Sequence, residues 1–422
     1  MDGQNTKAMM RKFSFLATLL FSATWCQAAM TIQINNAPQL TPLLDTIYIV
    51  GTFNDWTEND AMFICVPNSN GWSVVIDASP STIVEFKFTR GSWATVEGDA
   101  NGQYIGNRQV SYIDGSIMNV DIEGWEDLQG IHTTTPQVKI LDSNFYIPQL
   151  NRTRRIWIRL PENYSESDTG YPVSYFLDGQ NAMDAATSFA GEWQIDEALD
   201  NFLAPLCTSG ILVAIDNGGG QRIDEYSPWY NSTYSEGGEG AEFAAFLAET
   251  LKPYIDTHFN TLTNSSETTI IGSSLGALIA TYALCTYPNQ FGHGGLFSPA
   301  YWFNPEIFEY ANNHPLSGSS RVYFVAGTTE SDDMVPDMQN METIIQSAGI
   351  VSPSTFLVTH ADGAHSEWYW RREFPAAYEW LTQCAIASTN ETQRAAIQLN
   401  IFPNPTSDTV RIETKYTNYT PT

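Results

Sequence analysis

Gly272-Ser273-Ser274-Leu275-Gly276 places a serine at the centre of a G-x-S-x-G frame. Thr269, Ile270 and Ile271 favour an extended chain before it, and an apolar pattern of helical period runs from Ala277 to Tyr287 after it. Strand, sharp turn and helix form the setting in which such a serine becomes a nucleophile. The turn is strained and the helix packs close behind it, so its flanking residues must be small. The hydroxyl then emerges at a helix N-terminus, where the Leu275 amide and the helix dipole can hold an oxyanion. The same residues could form an ordinary glycine-rich turn. What separates the two readings is whether the chain supplies a base and an acid.

A serine is a poor nucleophile until a base takes its proton. Six histidines are present. The base should follow the last strand, which reads as residues 354–360, and the loop after it carries Gly363-Ala364-His365. His365 is therefore the candidate base, with His360 as the strand-end alternative. His293 sits near a strand start and reads as structural, while His132, His258 and His314 fall in a connection, a helix end and a loop. The acid should follow the preceding strand, residues 322–325, which runs on into Glu330, Asp332 and Asp333. Glu330 is the first choice; the two aspartates stay open because loop geometry decides. The order serine, acid, histidine is then kept. A second oxyanion donor is expected after the strand at 171–177, where Asp178-Gly179-Gln180-Asn181 turns and offers the Gln180 amide.

These residues need a scaffold, and residues 138–384 alternate apolar strands with amphipathic helices. Strands are expected at 154–160, 171–177, 211–215, 268–271, 294–297, 322–325 and 354–358, and a helical face is expected from 241 to 259. Several strands are apolar throughout, as in a mostly parallel sheet covered on both faces. The expected fold class is α/β, an α/β-hydrolase preceded by a small all-β sandwich. Ordered pieces carry a resemblance: Asp178-Gly-Gln-Asn181, Arg222-x-x-Glu-Tyr-Ser-Pro228, Leu251-Lys-Pro-Tyr-Ile255, Gly272-Ser-Ser-Leu-Gly276, Phe297-Ser-Pro-Ala-Tyr-Trp302, Gly327-Thr-Thr-Glu330 and Gly363-Ala-His365. With them the domain resembles the putative esterase (esterase D-like) family, which includes feruloyl and acetyl xylan esterases and enterochelin esterases. The resemblance implies Ser274 as nucleophile, His365 as base and Glu330 as acid. Ala277 departs from the second glycine of many relatives, which bears on helix packing more than on chemistry.

Residues 31–127 read as all-β: runs at 47–50, 72–76 and 83–89 are β-branched or aromatic and separated by turn residues. Gly51-Thr-Phe-Asn-Asp-Trp56, Gly71-Trp72 and Phe86-Lys-Phe-Thr-Arg-Gly-Ser-Trp93 resemble the starch-binding modules of carbohydrate-binding module family 20. That resemblance implies sugar contacts by Trp56, Lys87 and Trp93. Indole faces suit sugar rings and lysine donates to hydroxyls. Trp72, at a strand start, reads as core. Residues 128–137, rich in threonine with one proline, read as the linker between the two domains.

The ends and the totals set the remaining bounds. Lys7, Arg11 and Lys12, then an apolar run, then Cys26-Gln27-Ala28 read as a signal peptide over residues 1–28. Residues 385–422 read as a polar linker and a partial segment, cut short at Thr422. Ile397 to Asp408 there resembles the opening of a type IX secretion C-terminal sorting domain. The other cysteines, Cys65, Cys207, Cys285 and Cys384, form no C-x-x-C pair, so no zinc site is expected. The chain has 422 residues, only 16% of them charged, yet a formal charge of −28. Such a surface repels nucleic acid and anionic membranes and suits neutral polymers. The reading is a secreted or cell-surface serine carboxylesterase, without metal or organic cofactor, acting on acetyl or feruloyl esters linked to carbohydrate. Its expected partners are a starch-like α-glucan or related polysaccharide, the ester substrate and the type IX secretion machinery. The rivals are an inactive glucan-binding surface protein and an acyltransferase on the same triad.

Overall fold

A computed structural model describes residues 29–79, 82–166, 170–200, 210–347 and 355–382, with short strands at 400–402 and 411–413. The signal peptide, Cys207, Cys384, Ser354 and most of the C-terminal segment lie outside the described residues.

The N-terminal part forms strands β1 (Met30–Asn36), β2 (Tyr48–Gly51), β3 (Val66–Asn68), β4 (Gly71–Ile76), β5 (Ile83–Thr89), β6 (Glu97–Gly98), β7 (Arg108–Ser111), β8 (Ile117–Asp121) and β9 (Gly124–Trp125). They build a four-stranded sheet β3-β4-β1-β8, a three-stranded sheet β2-β5-β7 and the pair β6-β9. Alternation does the sorting. Met30, Ile32 and Ile34 of β1 point inward with Val84, Phe86 and Phe88 of β5, and share one core with Trp125. Trp72 is half-buried against that core. Cys65 is buried and unpaired.

The second part is an eight-stranded sheet. Its strands are β10 (Val138–Ile147), β11 (Arg152–Arg159), β12 (Val173–Leu177), β13 (Ile211–Ile215), β14 (Thr268–Ser273), β15 (His293–Phe297), β16 (Arg321–Gly327) and β17 (Thr355–His360). The order is β10-β11-β13-β12-β14-β15-β16-β17. β10, β11 and β13 pair antiparallel in turn; from β13 to β17 every pairing is parallel. Strands β12 to β15 are buried along their whole length, because helices cover both faces. Helices α1 (Ile195–Asp200) and α8 (Glu367–Thr382) supply one face. On the other lie α2 (Arg222–Tyr226), α3 (Gly240–Ala245), α4 (Lys252–His258), α5 (Leu275–Thr286), α6 (Glu306–Asn313) and α7 (Met334–Ser347). The helical face expected over 241–259 is real but not one regular helix. A π-helical turn, Phe246–Leu251, separates α3 from α4. Pro253 has no N–H to give the carbonyl four residues back, which favours re-registering there. Helix α5 is buried on nearly all sides, and Cys285 within it is a free thiol whose burial pushes its pKa up to about 12.

The connection at 128–137 is not an open tether. His132 Nδ1 lies 2.6 Å from Asp184, the Thr133 amide donates to the same carboxylate, and the Thr135 amide donates to buried Asp196 at 2.7 Å. Upstream, the Leu43 and Leu44 amides donate to the carbonyls of Ile140 and Leu141 on β10, and Leu40 joins the core of the second part. The hydrogen bond that His132 donates to Asp184 raises the His132 pKa above its usual 6.5, with burial pulling the other way. A pKa raised by folding adds stability that is complete below the unfolded value and fades as pH climbs through the folded one. The melting temperature of His132→Gln should therefore fall furthest below wild type near pH 6. That gap should narrow as pH rises past the folded value; a gap independent of pH would contradict the pairing.

Candidate active site

The elbow is formed where β14 ends. Ser274 has φ +57° and ψ −123°, a conformation that costs energy for any residue with a side chain. Packing enforces it: the Ser274 amide donates to the Phe297 carbonyl of β15, and the Ala300 amide donates to the Ser274 carbonyl. A methyl group at Gly272 would lie 2.5 Å from the carbonyl carbon of Gly276, so strand and helix approach backbone to backbone. Leu275 opens α5 as its first residue, and its amide has no acceptor inside the helix.

The loops after β16 and β17 meet at a second close approach. A methyl at Gly327 would lie 2.2 Å from the Gly363 carbonyl oxygen, and the Thr328 amide donates to the His360 carbonyl. That approach brings Glu330 to His365, with Oε2 2.8 Å from Nδ1. The other carboxylate oxygen accepts from the Gly327 amide at 2.6 Å and from the Ser298 hydroxyl at 2.9 Å. Ser298 in turn accepts from the indole nitrogen of Trp370, whose ring stands edge-on to His365 at 5.1 Å. The Glu330 side chain is 1% exposed and the His365 side chain 39%. A buried carboxylate with fixed donors on one oxygen orients the imidazole through the other. Asp332 and Asp333 are exposed and take no part in this chain. His360 bonds the Tyr369 hydroxyl, and His293 is buried between the Ser266 carbonyl and the Arg321 amide, burial pushing its pKa down. His258 and His314 each contact the carbonyl four residues earlier.

Ser274 and His365 line one cavity of about 680 Å³ with Gln180, Asn181, Thr187, Phe189, Asn217, Arg222, Glu367 and Trp370. The Ser274 hydroxyl has no hydrogen-bond partner among the described residues, and catalytic hydrogen bonds often tighten only when substrate binds. Gln180 reaches the cavity because Asp178 turns the chain at φ +58°, and its side-chain oxygen accepts from the Asn217 amide. Asp178 accepts two hydrogen bonds from Arg222 at 2.7 and 2.8 Å and one from Asn217. Burial works against the Arg222 charge, but Asp178 outweighs it and the guanidinium is held more firmly protonated than usual. The cavity's arginine is thus already matched. Burial also pushes the Glu367 carboxyl upward. Asp178 and Ser298 stood inside motifs that carried the resemblance but had no role assigned there, and nothing in sequence spacing marked Phe189 as a site residue.

On the N-terminal part, the structure brings Trp56 and Trp93 together, ring centroids 6.2 Å apart, with Trp93 43% exposed. Lys87 is arranged differently from the sequence reading. It is 3% exposed, its Nζ has no hydrogen-bond partner, and it sits 4.8 Å from the ring of Tyr104. It lies on the face of β5 opposite Val84, Phe86 and Phe88, where its ammonium is covered and Tyr104, 75% exposed, stands beside it. A sugar hydroxyl would meet Tyr104 before Lys87.

Residues 147–381 match the model of the family described as "Putative esterase". An uncharacterised protein, YbbA, of Bacillus subtilis (strain 168) is 26% identical over 246 residues, covering 54% of this chain and 92% of that one. Over the N-terminal part, an alpha-amylase of Niallia circulans is 32% identical across 94 residues, 22% of this chain and 7% of the amylase. Among solved structures, the enterobactin esterase of Shigella flexneri is similar at a TM-score of 0.48 and 16% identity, covering 81% of this chain and 89% of that one.

The geometry makes the reactivity of Ser274 measurable without a known substrate. A fluorophosphonate probe should label the wild-type protein at Ser274 and leave Ser274→Ala unlabelled. Glu330→Gln should slow labelling by about 10³-fold or more, because the imidazole loses its fixed tautomer. Asp332→Asn and Asp333→Asn should label at the wild-type rate.

Proposed function

The chain belongs to the esterase family described as "Putative esterase", and from that premise we propose that Ser274, His365 and Glu330 hydrolyse carboxylic esters joined to carbohydrate. The observation that supports this reading most strongly is the hydrogen-bonded series Trp370, Ser298, Glu330, His365, which ends in the same cavity as Ser274. In the proposed reaction the Ser274 oxygen attacks the ester carbonyl carbon while His365 takes the hydroxyl proton. The amides of Leu275 and Gln180 hold the oxyanion. Return of the proton to the alkoxide releases the alcohol and leaves an acyl-serine. His365 then takes a proton from water, the hydroxide attacks the acyl carbon, and the acid departs as Ser274 is reprotonated.

Charge and shape narrow the substrate. Arg222 is paired with Asp178, Glu367 stands at the same wall, and the whole chain carries −28, so an uncharged acyl group fits better than an anionic one. Phe189 and Trp370 give the cavity aromatic walls suited to a feruloyl-type ring, and an acetyl group also fits. The N-terminal sandwich, with Trp56 beside Trp93 and a relative among amylases, holds the enzyme on starch or a related glucan. Such tethering raises local substrate concentration without altering the catalytic groups. Export by the N-terminal signal, and handling by type IX secretion machinery, belong to the same proposal and rest on the sequence alone.

Two measurements test it together. Turnover of p-nitrophenyl acetate should vanish in Ser274→Ala and persist in the double variant Trp56→Ala, Trp93→Ala. That double variant should lose retention on insoluble starch while Ser274→Ala keeps it. Turnover that survives Ser274→Ala would end the hydrolase reading. Release of free acid unaffected by added sugar separates hydrolysis from acyl transfer.

A further inference from the structure

Asp178 to Gln194 is the loop that shapes one side of the cavity. Its first turn offers the Gln180 amide, and its tip presents Thr187, Phe189 and Ala190 to the space in front of Ser274. Within the loop, Asn181 and Thr187 make the internal bonds: Asn181 accepts from the Phe189 and Trp193 amides, and Thr187 donates to the Gln180 carbonyl. Three buried carboxylates flank the tip: Asp184 before it, Glu192 after it, and Asp196 in the α1 helix that follows, exposed 2%, 8% and 0%. Buried carboxylates are costly unless donors meet them.

The Ala186 amide of the loop donates to Asp184 at 3.1 Å, and the other donors come from residues 132–135. His132 Nδ1 and the Thr133 amide meet the two oxygens of Asp184 at 2.6 and 3.2 Å. The Thr133 hydroxyl donates to Glu192 at 2.8 Å while accepting from the Ala185 amide at 2.8 Å. One hydroxyl therefore joins the chain on either side of the tip. The Thr135 amide meets Asp196, and the backbone at Gly130 lies against the Ala186 methyl, where a side chain would stand 3.3 Å away.

We infer that His132 and Thr133 are positioning residues of the ester cavity, holding residues 184–192 so that Phe189 and its neighbours form a fixed acyl wall. The inference rests on the proposed function for its kinetic part and on geometry alone for its structural part. A domain boundary of this kind makes the cavity's shape depend on the segment that carries the glucan-binding module. Burial raises the carboxyl groups of Glu192 and Asp196, that of Asp196 to about 8, which fits groups with few other donors and with Glu197 alongside.

The test uses the full-length protein with Thr133→Val, His132→Gln, the conservative Thr133→Ser, and Ile131→Ala, whose side chain is 83% exposed, as a control. Amide hydrogen exchange is read over 184–192 and, for comparison, over β14. Thr133→Val should speed exchange in 184–192 by about tenfold and leave β14 unchanged, since one buried hydrogen-bonding group is lost locally. Its KM for p-nitrophenyl benzoate should rise about fivefold, with kcat/KM for p-nitrophenyl acetate unchanged, because the small acyl group does not reach the wall. Thr133→Ser should restore both readouts. Equal exchange in wild type and Thr133→Val, or KM rising alike for both esters, overturns the inference. Acetate turnover that survives Ser274→Ala overturns the functional reading instead, and the exchange result still decides whether the connection holds the loop.

Discussion

The site depends first on two places where backbones touch. At Gly272 the strand that delivers Ser274 runs against the first turn of α5, and at Gly327 the loop after β16 runs against the loop after β17. Neither contact leaves room for a side-chain carbon. The first forces the reversal that puts Ser274 at positive φ and lifts its hydroxyl into the cavity. The second sets Glu330 within hydrogen-bond reach of His365 across loops 35 residues apart in the chain. A parallel sheet makes this possible because β14, β15, β16 and β17 lie side by side and point their C-terminal ends the same way. Loops distant in sequence then open onto one edge, where ligand crevices of open α/β sheets occur.

Strain at Ser274 is stored because the surroundings over-determine it. Its amide and carbonyl are both taken by the segment 297–300, so relaxing the backbone would break two hydrogen bonds inside a fully buried region. Ser298 shares the burden: with φ +44° it turns its hydroxyl toward Glu330 and accepts from Trp370. A single turn after β15 thus braces the Ser274 backbone and the Glu330 carboxylate at once.

Much of this was legible in the sequence, for a physical reason. Fully apolar strands, the helical period after Gly276, and Ser274, Glu330 and His365 following β14, β16 and β17 are local patterns, and the sheet opens their loops onto one edge. Glu330 could not be told from Asp332 and Asp333 by spacing, because the choice is made by which carboxylate meets the Gly327 amide and the Ser298 hydroxyl. The helix expected over 241–259 hid a π turn at 246–251, since an apolar face persists through such a turn while the hydrogen bonds shift. Lys87 read as a sugar donor from its motif, yet its ammonium is covered beside the ring of Tyr104, and the burial of one long side chain is decided by neighbours that no short motif contains.

The same limit explains the connection at 128–137. Its threonines and single proline have the composition of a tether, and composition reports only what a segment does when nothing else meets it. Here something does. Three buried carboxylates, Asp184 and Glu192 on the cavity loop and Asp196 on α1, accept hydrogen bonds from the backbone amides and side chains of residues 132–135, and Asp184 also accepts from the Ala186 amide. The energetic need lies in the loop, while the residues that satisfy it lie in the connection, so neither segment read alone reveals the bond. A carboxylate-rich loop in an acidic protein must find its donors locally, since only 19 lysines and arginines serve 47 aspartates and glutamates. That shortage makes neutral donors such as backbone amides and the Thr133 hydroxyl structural currency in this protein. It also places the connection at 128–137 against the loop that lines the cavity with Ser274.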